Sequence, residues 1–157
     1  GGGIKSFYKG NHMKTTKRIA ALLAALVLAL SLTACGQTAA KDDPMNPAIP
    51  VADGAEIGEG SKTFTTEVAD QDGKAVTFTV HTDEKTVGDA LQKLHVVAGE
   101  ASSYGLYVKT VNGMTADYDK DGVYWAFYID GEYAMTGVDA TNITDGAQYA
   151  FRMEKAN

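Results

Sequence analysis

The stretch Asp121-Gly122-Val123-Tyr124-Trp125-Ala126-Phe127-Tyr128-Ile129-Asp130-Gly131-Glu132-Tyr133 decides how this chain is read. Its aromatic and β-branched residues favour a pleated surface, and Asp130-Gly131 supplies the positive φ of a tight hairpin turn, so the segment is a strand entering a hairpin. Period-two geometry puts Val123, Trp125, Phe127 and Ile129 on one face and Tyr124, Ala126, Tyr128 and Asp130 on the other. The first set is the expected core, with Trp125 its largest packing element. The second presents two phenolic rings with Ala126 as a shallow gap between them, a platform for a planar ligand or for a partner's side chains. A helix covering this face, or tyrosines pairing across strands, is the structural alternative. Tyr133 and Met135 extend whichever surface results. Tyr124, Trp125, Tyr128 and Tyr133 are thus the candidate ligand-binding residues.

Working outward, every aromatic residue beyond position 35 falls after Ser61, so residues 61–155 are the expected domain. Phe64 to Val68 and Ala75 to Val80 flank Asp70-Gln71-Asp72-Gly73 and form a β-hairpin. Thr86-Val87-Gly88-Asp89 opens a helix with a capping-box pattern, and Val87, Leu91 and Leu94 share one face of it; the helix ends before Gly99. Leu106 to Val111 alternates toward a turn at Asn112-Gly113, and Gln148 to Met153 is a last strand. One helix across a mixed or antiparallel sheet is the economical packing of these elements, an α+β fold of the β-grasp kind.

The N-terminal part has another character. Residues 1–12 fit no part of a signal peptide and are an upstream extension. In residues 13–34, Lys14, Lys17 and Arg18 precede an apolar run from Ile19 to Leu30, too short to span a bilayer comfortably. Leu32-Thr33-Ala34-Cys35-Gly36 resembles the lipobox of bacterial lipoproteins, which implies a lipidated Cys35 as the mature N-terminus. Each buried methylene contributes about 0.8 kcal/mol, so two or three acyl chains hold a soluble domain on the extracytoplasmic membrane face without a spanning helix. Residues 35–60 hold all three prolines and no aromatic residue. They read as a flexible tether with a reach of roughly 25 to 30 Å.

Charge and cysteine content exclude several classes. Five of the 14 basic residues and none of the 20 acidic ones precede position 35, which leaves a formal charge of −11 for the remainder. With its basic residues scattered singly, such a surface repels nucleic acid and favours a soluble monomer once the lipid is removed. One cysteine and three histidines make neither an internal disulfide nor a Cys/His zinc cluster. No nucleophile elbow, phosphate-cradling loop or serine with an evident base is present, so an enzyme is not expected. Asp117, Asp119 and Asp121 with Gly122 match the front of a calcium loop. Its closing position is Tyr128 rather than Glu, which leaves an acidic turn with at most weak cation affinity.

Taken together, Thr86-Val87-Gly88-Asp89-Ala90-Leu91, the Tyr124-Trp125 pair, and Ile143-Thr144-Asp145-Gly146-Ala147-Gln148-Tyr149-Ala150-Phe151 resemble the DUF4430 family. Its sequences are similar to the C-terminal β-domain of transcobalamin and intrinsic factor, and the resemblance covers about residues 62–154. It implies a ligand-binding module for a corrinoid or a similarly flat small molecule, with no resident cofactor, that passes its cargo to a membrane transporter. The large helical domain forming the other wall of a cobalamin carrier's pocket is absent from these residues. A protein or glycan interaction module at the cell surface, using the same tyrosines, is the alternative.

Overall fold

The computed structural model describes residues 43–157. The extension, the apolar leader, Cys35 and the first part of the expected tether lie outside them. The chain runs β1 (Glu56–Gly58), β2 (Lys62–Ala69), β3 (Ala75–Thr82), α1 (Val87–Lys93), β4 (Val97–Ser102), β5 (Gly105–Val111) and β6 (Met114–Thr115). It continues through α2 (Tyr118–Asp121), β7 (Val123–Ile129), β8 (Glu132–Tyr133), a 3-10 turn (Val138–Ala140) and β9 (Gln148–Lys155). No helix among the described residues is long and apolar enough to cross a membrane.

Six strands form a mixed sheet in the order β1-β3-β2-β9-β7-β8, and β4-β5-β6 form a second, small sheet. The pairs β2/β3, β7/β9 and β7/β8 are antiparallel, whereas β1/β3 and β2/β9 are parallel. With α1, this is an α+β architecture dominated by strands. The hairpins form where the turn residues require them: Asp130 and Gly131 both take positive φ, as do Asn112 and Gly113, the pairing that matches the right-handed twist of the strands they join.

One core fills the space behind the large sheet. Phe64, Phe78, Tyr149 and Phe151 from the sheet meet Val87, Ala90, Leu91 and Leu94 of α1 and Val97 and Val111 of the small sheet, all buried. Phe64 meets Tyr149 edge-on at 5.2 Å and Phe127 stacks on Phe151 at 5.2 Å, geometries worth about 0.5–1.5 kcal/mol each beyond their area. Thr86 caps α1 by accepting from the Asp89 amide. At Gly88 the 3-10 turn approaches so closely that a Cβ would lie 2.9 Å from the Asp139 backbone.

The reading is corrected in two places. The helix ends at Lys93, before Gly99 as expected, but His95 then takes a left-handed conformation and the β-branched pair Val96-Val97 leads into β4, a strand absent from the sequence reading. The tether is the second correction. Of residues 35–60, those from Asp43 onward belong to the domain: Ile57 and Val51 are buried, β1 adds in parallel to β3, and the Gly58 amide donates to the Pro44 carbonyl at 2.7 Å. Proline-rich composition suggested a solvated linker, but two apolar side chains with core cavities to fill override it.

Candidate functional site

The face of the large sheet opposite the core carries the polar and aromatic side chains, and no helix of the described residues covers it. Antiparallel register sets Tyr124 opposite Glu154, Ala126 opposite Arg152, and Tyr128 between Ala150 and Tyr133. The alternation that buries Trp125 therefore brings these groups together. Tyr124 donates to Glu154 Oε2 at 3.2 Å and Tyr128 to Glu154 Oε1 at 2.6 Å, so one carboxylate holds both phenols. Arg152 lies with its guanidinium 4.6 Å from the centre of the Tyr128 ring and pairs with Glu67 at 3.2 Å. Tyr133 meets Tyr128 edge-on at 5.6 Å. The result is a continuous polar row across β2, β9, β7 and β8.

This geometry corrects the expected platform in two respects. The gap at Ala126 is closed: that residue is 1% exposed, since Arg152, directly across the strand pair, extends toward Tyr128 and fills the space. Trp125 is 8% exposed and donates its indole N–H to the Lys109 carbonyl at 3.0 Å, which ties the two sheets together and leaves no ring face for a ligand. Of the four candidate residues, Tyr124 and Tyr128 are half-buried with their hydroxyls engaged, Trp125 is interior, and Tyr133 is exposed. Glu154, Arg152 and Glu67 were missed, because nothing local links residues 26 to 85 positions away from their partners.

What remains open is the rim. Tyr133 is 55% and Met135 93% exposed, and both line a concavity of about 510 Å³ with Ile129, Asp130, Glu132 and Ala134. Asp130 Oδ1 accepts from the Gln148 amide and fixes the turn beneath it. A phenol at the end of the hairpin and a thioether just beyond it offer polarisable apolar contact beside carboxylates.

The acidic turn behaves otherwise. Asp117 caps α2 by accepting from the Lys120 amide, and Gly122 closes the turn in the left-handed region. Among the described residues, no three His, Cys, Asp or Glu side chains are placed to hold a metal ion, so Asp117, Asp119 and Asp121 do not converge.

Desolvation raises the Tyr124 phenol above its ordinary value near 10, and the charge and hydrogen bond of Glu154 add to it. At Tyr128 the hydrogen bond to Glu154 is the main cause, followed by desolvation. The native state thus holds these protons more tightly than the unfolded chain does. Their contribution to stability is complete below about pH 10 and is lost as pH rises through the raised native values. Glu154→Gln should bring phenolate formation to lower pH in an absorbance titration and flatten the alkaline loss of stability; an unchanged phenolate titration would contradict the shared-carboxylate geometry.

No curated protein matches the chain. Among solved structures, it is similar to a "putative metal binding protein" from Ruminococcus gnavus ATCC 29149, with 31% identity and a TM-score of 0.59, covering 62% of this chain and all of that one. Haptocorrin in complex with Cbi matches at 18% identity and a TM-score of 0.47, covering 64% of this chain and 27% of that one. The family model of the domain of unknown function DUF4430 matches residues 84–155. With the family-model match over residues 84–155 and a 31% identical structure covered over its whole length, the chain belongs to the DUF4430 family.

Proposed function

We propose that the domain is a ligand-binding module, held by a lipid on Cys35 at the extracytoplasmic face of the membrane, that takes a flat small molecule of corrinoid type and hands it to a transporter. It acts by binding and not by catalysis. The observation that carries this reading is the rim: Tyr133 at the end of the β7–β8 hairpin and Met135 two residues beyond it stand exposed over a concavity of about 510 Å³, inside the range of about 300–1,000 Å³ that small-molecule sites use. Tyr128, braced by Glu154 and Arg152, backs Tyr133 and restricts its motion, so little ordering entropy is spent on contact. A ligand as broad as a corrinoid would be gripped here on one side, with its other side left to the transporter. A metal as the primary ligand is less favoured, since no three ligating side chains converge among the described residues.

Titration of the intact chain with cobinamide and with cyanocobalamin, followed by absorbance, tests this. Submillimolar binding is expected, weakened about tenfold or more by the double substitution Tyr133→Ala and Met135→Ala, a loss of roughly 1.4 kcal/mol. No spectral change at about 1 mM corrinoid would defeat the small-molecule form.

A second reading is a protein or glycan interaction module. Tyr104 is 93% exposed at the tip of the β4–β5 hairpin, and its backbone lies beside Gly137, two residues from Met135, so exposed apolar groups from separate elements share one end of the domain. On this reading, Tyr104→Ala would abolish partner capture while the corrinoid titration stays silent.

A further inference from the structure

A second cleft opens between the two sheets, at the other end of the strands from the Tyr133 rim. Its volume is about 470 Å³. Pro50, Val51 and Ala52 line it together with Val68 and Val76 of the β2–β3 hairpin and Met114 of β6. The walls are thus apolar, yet open to the outside.

The walls are held in place. Val51 is pinned by Asn112, whose Oδ1 accepts from the Val51 amide at 2.6 Å while its Nδ2 donates to the Val51 carbonyl at 3.2 Å. The hairpin end is fixed by Asp70, whose Oδ1 accepts from the Asp72 and Lys74 amides. The cleft is therefore a built cavity and not a gap between loose loops.

Two ionisable side chains line it, Asp70 and Lys74. They carry opposite charges, and the ion pairs among the described residues join His81 to Glu56, Lys93 to Glu84, Lys109 to Glu100 and Arg152 to Glu67. Asp70 and Lys74 form none of these, not even with each other. With Asp70 Oδ1 taken by two backbone amides, its Oδ2 and the Lys74 ammonium are the charged groups left to face a ligand, and an apolar cleft bordered by both signs is complementary to a molecule with an apolar body and both charges. Size narrows the class further. At about 470 Å³ the cleft lies in the lower half of the range of about 300–1,000 Å³ that small-molecule sites use, which suits a small ligand and not a long peptide.

We propose that this cleft binds a short apolar peptide of dipeptide size in its zwitterionic form, with its side chains against Val76 and Met114, its ammonium on Asp70 and its carboxylate on Lys74. This is independent of the corrinoid reading.

The test is calorimetric titration and thermal unfolding of the intact chain with L-leucyl-L-leucine. With millimolar affinity, about 10 mM dipeptide raises the unfolding midpoint by about 5 °C. The same dipeptide with an acetylated amine and an amidated carboxyl binds at least about tenfold more weakly. Ala52→Trp, at an exposed position on the cleft wall, fills the space and removes the shift, and Lys74→Glu weakens binding at the other end of the ligand. Tyr133→Ala leaves it unchanged. The proposal is overturned if the dipeptide gives neither heat nor a midpoint shift at that concentration, if the capped form binds as well, or if Ala52→Trp responds like the parent chain.

Discussion

Trp125→Ala should lower the unfolding midpoint by roughly 10 to 20 °C, the equivalent of about 3–5 kcal/mol for emptying a core site of this size. The indole is 8% exposed between the two sheets, and its N–H satisfies the Lys109 carbonyl of β5. Truncation removes the contact area and one of the two donors to that carbonyl, which keeps the Ala116 amide at 2.9 Å. Trp125→Phe separates the two effects: it keeps most of the volume, loses the hydrogen bond, and should cost about 1–2 kcal/mol. Differential scanning calorimetry of both variants decides the matter. A loss below about 1 kcal/mol for the alanine variant would show that the ring does not join the sheets as described.

Asn112→Ala is expected to be nearly as damaging, about 2–4 kcal/mol, at a residue no conventional core list would include. Asn112 is 3% exposed, its amide takes up both backbone groups of Val51, and its backbone sits at φ 49°. Alanine leaves a buried N–H and C=O without partners and strains the turn as well. Asn112→Gly keeps the backbone conformation and loses only the side chain, so the difference between the two variants, about 1 kcal/mol, reads the strain alone. Hydrogen exchange at the Val51 amide supplies a local readout. It should accelerate by at least about tenfold in both variants, since the segment from Asp43 to Ala52 is released from the domain. Exchange at the parent rate would place the anchoring of that segment elsewhere.

The distance over which a signal acts explains what could be read in advance. The hairpins at Asp70-Gly73 and Asp130-Gly131, the capped start of α1 and the two faces of β7 follow from neighbours within a few residues, and all appear in the fold. The strand β4 did not, because Val97-Ala98-Gly99-Glu100-Ala101-Ser102 has no apolar alternation: everything after Val97 is exposed. It is a strand through its pairing with β5, where the close approach at Gly99 leaves no room for a Cβ against the Tyr107 carbonyl. Similarly, the segment before Ser61 has the composition of a linker and is folded through Asn112, 61 positions from Val51.

For the site, the tyrosines themselves were legible and their condition was not. Strand periodicity placed Tyr124 and Tyr128 together on the face away from the core. Their engagement by Glu154, and the closure of the Ala126 gap by Arg152, depend on β9 returning antiparallel beside β7 in one particular register. A slip of one residue would send both charged groups to the core face.

Which residues turn, which strand carries its rings inward and where one helix begins follow from the order of residues alone, since these depend on backbone sterics and side-chain alternation over a few bonds. Tertiary packing set the rest: that the phenols of Tyr124 and Tyr128 are braced instead of free, that Tyr133 and Met135 stand open at the rim, and that an apolar cleft lies between the sheets. Those outcomes rest on contacts between groups that chain connectivity leaves far apart and that only the packing of the sheets brings within hydrogen-bonding or van der Waals reach.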